Sequence, residues 1–206
     1  MKRLVISPHM DDESMGCGGL LAKYGPECLV LNVAGSGQVR EREHAAAMEI
    51  LGVTNVRNLD YPDGYVHDHM ARLVADVDAV MAEHHPEEVY LPYPSLHQDH
   101  IAAYEAGMRS CRMSMSHLHW YPPMVYVYDV AVYDLSLYPT DLRWNVFEEL
   151  TAAQAEAKER ACQCYVSETP EGPHPLTSIK QIAAAVGRTH QMDYAEQYAL
   201  VREIRR

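Results

Sequence analysis

Apolar positions along the chain follow two patterns. The runs Leu4-Val5-Ile6, Cys28-Leu29-Val30-Leu31-Asn32-Val33, Asn55-Val56-Arg57-Asn58-Leu59 and Glu88-Val89-Tyr90-Leu91 are short and bounded by Gly, Pro, Asp or Ser, which predicts four buried strands. Between them Met70, Leu73, Val74, Val77, Val80 and Met81 recur at the spacing of one helix face, and this predicts a helix. Ala45, Met48 and Leu51 before Gly52 predict a second helix, and Ile101, Tyr104, Met108 and Cys111 a third. Strands alternating with helices need right-handed crossovers. The expected fold is therefore a doubly wound, Rossmann-like α/β domain, with a mostly parallel sheet covered by helices on both faces.

Toward the C-terminus the pattern is less regular. A fifth strand is expected at 125–130, strand-like sequence at 144–147, a helix opening at Thr151 with Gln154 completing a capping box, and a helix at 178–188. Residues 168–175 carry three prolines and a glycine, so a loop is expected there, either a passive connector or a lid. Neither a repeat nor a compositional shift marks a boundary, and residues 1–206 are read as one domain.

Composition narrows the function classes. The chain has 206 residues, 48% hydrophobic and 22% charged, with a formal net charge of −12. Without a basic block to follow a phosphate backbone, nucleic acid is not an expected partner. No apolar run approaches the roughly 18 residues of a membrane span, and the start reaches Pro8-His9-Met10-Asp11-Asp12-Glu13 too soon for a signal peptide. A soluble, unsecreted, cytoplasmic protein is expected, with a homo-oligomer as an open possibility. The five cysteines are odd in number in a chain too large to need disulfides, and are read as free thiols.

The twelve histidines carry the chemical reading. In an open parallel sheet ligands bind beyond the carboxyl ends of the strands, where the strand order reverses. In the common order the first and fourth strands flank that crevice. The first is followed by Pro8-His9-Met10-Asp11-Asp12-Glu13 and the fourth by Pro92-Tyr93-Pro94-Ser95-Leu96-His97-Gln98-Asp99-His100. Imidazole and carboxylate are zinc's commonest ligands besides thiolate, and catalytic zinc keeps three protein ligands. His9, Asp12 and His100 can supply them, leaving Asp11 as a non-ligating base and His97 facing the water from the far side. The alternative is structural: Asp pairs often cap helices, and Asp99 before Ile101 is a candidate cap.

These motifs resemble the zinc-dependent N-deacetylases of the LmbE/PIG-L type, whose motifs read Pro/Ala-His-Pro-Asp-Asp-Glu and His-Pro-Asp-His. The similarity extends to Cys17-Gly18-Gly19, Arg40-Glu41-Arg42-Glu43, Ala46, Leu51-Gly52 and Tyr194-Ala195-Glu196, with Met10 and Gln98 replacing spacer prolines. The resemblance implies His9, Asp12 and His100 on zinc, Asp11 as general base, a protonated His97 as oxyanion partner and acid, and Asp99 orienting His97. It implies hydrolysis of an N-acetylated sugar or glycoside to acetate and an amine. Two imidazoles and a carboxylate also suit iron(II) or cobalt.

Other positions stay open. Arg40 and Glu43 are either a surface pair on one helix face, or Arg40 reaches substrate as in the family. Asp63 with Gly64 reads as a turn or as a sugar-hydroxyl contact. His67 with His69, His84 with His85, and His117 with His119 read as surface or capping residues. Gly35-Ser36-Gly37 and Gly16-Cys17-Gly18-Gly19 lack the features of phosphate and dinucleotide loops. Another metal-dependent amidase, such as a thiol-conjugate amidase, and a non-catalytic metal-binding module are the rival functions.

Overall fold

Alternation places both neighbours of each residue in β1 (Arg3–Ser7) against apolar layers: Leu4 and Ile6 enter one core and Val5 the other, each 1% exposed or less. A strand buried on both sides must be central. In the computed structural model, which describes residues 1–116, 119–130, 139–168 and 178–205, β1 pairs in parallel with β2 (Cys28–Ala34) on one side and β4 (Glu88–Pro92) on the other. β3 (Asn55–Tyr61) adds outside β2 and β5 (Met124–Tyr128) outside β4, both parallel. The first four crossovers are the helices α1 (Asp12–Tyr24), α2 (Gly37–Leu51), α3 (Met70–His84) and α4 (Gln98–Ser110).

Leu73, Val77, Val80 and Met81 of α3 and Ala102, Ala103 and Ala106 of α4 close the core on one face. Residues of α1 and α2, with α5 (Ala152–Cys162) and α6 (Ile179–Arg188), close the other. The expected helices on both faces are thus present. The Thr151–Gln154 capping box opens α5 with both reciprocal bonds, 2.8 and 3.2 Å. All five cysteines are free thiols. Among the described residues no helix is long and apolar enough to cross a membrane.

The sheet extends further than the sequence pattern predicts. Among the described residues it has seven strands in the order β3-β2-β1-β4-β5-β7-β6. β7 (Tyr194–Glu203) runs antiparallel between β5 and β6 (Val146–Leu150). It escaped the sequence reading because a charged residue, Glu196, points into its buried face. Glu196 accepts hydrogen bonds from Lys158 Nζ (2.6 Å), the Gly19 and Leu20 amides (2.7 and 2.8 Å) and the Tyr198 hydroxyl (2.7 Å). A buried carboxylate so satisfied locks β7 to α1 and α5. The strand expected at 144–147 is displaced to β6, and most of the 168–175 loop lies outside the described residues.

α1 approaches this part of the sheet closely. A Cβ on Gly16 would lie 2.1 Å from the Tyr128 ring, so only glycine fits there. The run Gly16-Cys17-Gly18-Gly19 is therefore a packing surface.

Candidate active site

Because β1 and β4 are adjacent, the loops after them meet at one sheet edge, as the sequence order requires. Asp11 stands at the N-cap position of α1 without a side-chain cap bond, and Asp12 and Glu13 occupy its first turn, where the helix dipole favours negative charge. Glu13 is fully buried and reaches back to accept hydrogen bonds from the Asp11 amide (3.1 Å), the Ser7 and Ser14 hydroxyls (2.8 Å each) and the Tyr165 hydroxyl (2.9 Å). That web fixes the turn on which the two aspartates diverge.

Asp12 turns inward and is 1% exposed. Its Oδ2 stands 3.3 Å from His9 Nδ1 and 3.3 Å from His100 Nε2. Two imidazoles thus stand against one carboxylate oxygen. Among the described residues, the sets of three whose potential donor atoms all lie within 4.8 Å of one another are His9, His97 and His100, and His9, Asp63 and Asp99. The donor set fits a divalent ion of zinc type, with more potential donors than one such ion needs. Burial opposes charge on both groups, yet the facing His100 and His9 hold the Asp12 carboxyl far below the usual range. Against the same opposition, hydrogen bonds to Asp12 and Asp99 with the charges of Asp12 and Asp11 push His9 up to about 10.

Asp11 turns toward α2. Its Oδ2 accepts from Arg40 Nη1 at 2.9 Å, and the same nitrogen donates to the Met10 carbonyl at 3.0 Å. Burial, then the charges of Asp12 and Glu13, push the Asp11 carboxyl well up, while Arg40 pulls the other way. Arg40 also pairs with Glu43 (3.5 Å) and with Glu168. Arg40 is thus buried rather than half of a surface pair, and it lines the cavity.

His97 and Asp99 differ from the expected arrangement. His97, not Asp99, caps α4: its Nδ1 accepts the backbone N–H of Asp99 at 3.3 Å. Asp99's carboxylate accepts instead from the Gly64 and Val66 amides (2.6 and 3.2 Å) and faces His9 Nε2 at 3.4 Å. The expected carboxylate link from Asp99 to His97 is replaced by this backbone contact. An Nδ1 that accepts cannot carry a proton, so the ring's proton sits on Nε2. Burial and the nearby His9 and His100 push the His97 pKa below the ordinary value. The expected imidazolium is thus disfavoured in this geometry.

Asp63 arrives by a bulge in β3. Asn32 and Ala34 of β2 face Asn58 and Tyr61 of β3, and Asp60 in the extra stretch has φ 55°. Bulges of this kind re-aim a chain beside a site. The following Pro62–Tyr65 turn closes with Tyr65 N–H on the Pro62 carbonyl (3.0 Å), and Gly64 takes φ 78°. The turn reading holds, and Asp63 Oδ1 also comes 3.3 Å from His9 Nε2.

His9, Asp11, Asp12, Ser36, Arg40, Asp63, His97 and Glu168 line a cavity of about 270 Å³. Ser36 and Glu168 were not singled out for chemistry in the sequence, because a Gly-Ser-Gly loop and a Pro-rich loop have no distinctive code. His67, His69 and His85 are exposed, and His84 and His119 also lie outside the cavity. His117 falls outside the described residues.

Comparison with known proteins places the fold and the family. The conserved protein TT1542 from Thermus thermophilus superposes with a TM-score of 0.80 at 23% identity, over 100% of this chain and 97% of that one. N,N'-diacetylchitobiose deacetylase from Pyrococcus horikoshii gives 0.75 at 18% identity, over 97% and 83%. Both likenesses speak for the fold. The uncharacterized deacetylase YaiS of Escherichia coli (strain K12) is 28% identical over 124 residues, 53% of this chain and 67% of that protein. Residues 4–111, more than half of the chain and the part that holds both motif loops, match the family profile described as PIG-L, GlcNAc-PI de-N-acetylase. The chain therefore belongs to the PIG-L family and is a hydrolase of N-acetyl amides.

Proposed function

We propose that this chain removes the N-acetyl group of an amino sugar or glycoside with the help of one divalent ion, zinc first, held by His9, Asp12 and His100. The observation that carries the reading is the divergence of two adjacent carboxylates, Asp12 toward two imidazoles and Asp11 toward Arg40, at the floor of one cavity. A site that only held an ion has no use for the second carboxylate. A cavity of about 270 Å³ has room for one sugar ring, and the similarity to a chitobiose deacetylase supports that substrate class.

An ion held there would act as a Lewis acid and would make water acidic enough to react near neutral pH. Asp11 accepts the proton of the attacking water as general base. Arg40 holds that carboxylate in one orientation through the 2.9 Å bond. His97, with its proton on Nε2, donates a hydrogen bond to the oxygen of the acetamide as negative charge develops there. Asp11 then returns its proton to the leaving nitrogen, so that amide and water become acetate and a primary amine. Asp99 fixes His9 and the Gly64–Val66 loop. Asp63 at the mouth is positioned to accept hydrogen bonds from sugar hydroxyls.

The test is acetate release from a panel of N-acetylated sugars and glycosides, by metal-stripped protein with and without added zinc. Zinc-dependent release from at least one sugar amide is expected. Release that ignores metal, or release only from non-sugar amides, overturns the reading.

A further inference from the structure

Glu168 lines the cavity from outside the region matched by the family. It ends the 3-10 turn Val166–Glu168 after α5, and its carboxylate pairs with Arg40 Nη2. Ser167 beside it is tied to Glu43 through both its amide and its hydroxyl (2.8 and 2.6 Å), which holds this turn on α2.

Charge in the cavity is unequally placed. Asp11 and Asp12 sit at the floor with side chains 13% and 2% exposed, whereas Asp63 and Glu168 are 66% and 50% exposed at the mouth. Among the described residues that line it, Arg40 is the one Lys or Arg. It is shared by Asp11, Glu43 and Glu168, so the natural receptor for a carboxylate or phosphate is already engaged. A divalent ion at the floor is balanced by Asp11 and Asp12. The mouth then sets Asp63 and Glu168 against the single charge of Arg40, which leaves it negative.

We infer that Glu168 is a specificity-determining residue that, with Asp63, selects neutral or cationic amino-sugar amides and rejects those bearing a carboxylate or phosphate near the reacting amide. An anionic substrate must displace Glu168 from Arg40 and still meet Asp63, whereas sugar hydroxyls and ammonium groups can donate to both carboxylates. The inference rests on the N-deacetylase reading above.

The experiment compares kcat/KM for acetate release by the zinc-loaded protein from the methyl glycoside of N-acetylglucosamine and from the corresponding C6 carboxylate. The neutral compound is expected to be preferred by about tenfold or more, the scale of one poorly screened charge contact. Glu168→Gln should shrink that preference by about tenfold, and Glu168→Asp should retain it. In the unaltered protein, raising salt should shrink the preference as well, which tests the charge argument without any variant. A preference that Glu168→Gln and salt both leave unchanged overturns the role of Glu168 while the deacetylase reading stands. Absence of acetate from both compounds and the wider panel overturns that reading and this inference together.

Discussion

Arg40 of α2 donates from Nη1 to Asp11 Oδ2 at 2.9 Å, joining residues that are 29 positions apart and lie on the helices after β1 and β2. This contact separates the two adjacent aspartates by direction. Asp12 faces the imidazoles and Asp11 faces Arg40, which is where the proposed mechanism puts its proton acceptor. Asp11→Asn should therefore lower turnover by roughly 10² to 10⁴ while bound metal is retained, because the amide keeps the shape but accepts no proton. Rate and metal content measured on one sample decide it, and near-normal turnover with metal present would reassign the base.

Arg40→Ala leaves Asp11 without its cationic partner. Its carboxyl pKa should rise further, because Arg40 is the larger of the two charges, with His9, that pull it down against burial, Asp12 and Glu13. The acidic limb of the rate profile should then move to higher pH. A limb that stays in place would show that Asp11 is not the group titrating there.

His97→Ala should cost on the order of 10² or more in turnover by removing one hydrogen-bond donor to the developing oxyanion. Metal should remain, since His9, Asp12 and His100 still converge. Loss of metal from this variant would instead place His97 among the ligands, the arrangement that the close approach of His9, His97 and His100 also permits.

In the metal-stripped protein His9 is raised from 6.5 to about 10, so it is protonated at neutral pH and must lose that proton to bind a metal. Zinc addition at about neutral pH should release protons, measurable by calorimetry in buffers of different ionisation enthalpy. The same shift stabilises the stripped fold most below the ordinary imidazole value, and that contribution is lost as pH rises through about 10. Thermal unfolding should show the fall, and His9→Gln should flatten it. Zinc binding without proton release would mean that His9 is neutral beforehand.

Glu196→Ala removes the acceptor of four hydrogen bonds and leaves Lys158 buried without its partner. Breaking such a pair costs about 3–5 kcal/mol, so the chain should unfold at markedly lower temperature or denaturant. A shift within the error of the melt would show that the pair has little structural weight.

The sequence by itself determined the central sheet and the two loops that meet at its edge. Apolar runs at β1, β2 and β4 are buried on both faces, and such strands announce themselves because so few polar residues interrupt them. Both motif loops were legible for a topological reason: with β1 next to β4, whatever follows these strands must share one edge. Tertiary structure alone decided which atoms face each other. His97 took the cap of α4 and Asp99 turned to the Gly64 and Val66 amides, because a carboxylate beside two unsatisfied backbone N–H groups gains more from them than from an imidazole already held by the helix. β7 and Glu168 were invisible for a related reason. Glu196 is buried only because Lys158 and the α1 amides, distant in sequence, satisfy it, and Glu168 enters the cavity only because the turn after α5 folds back on α2. A polar residue's place depends on partners that no local pattern names.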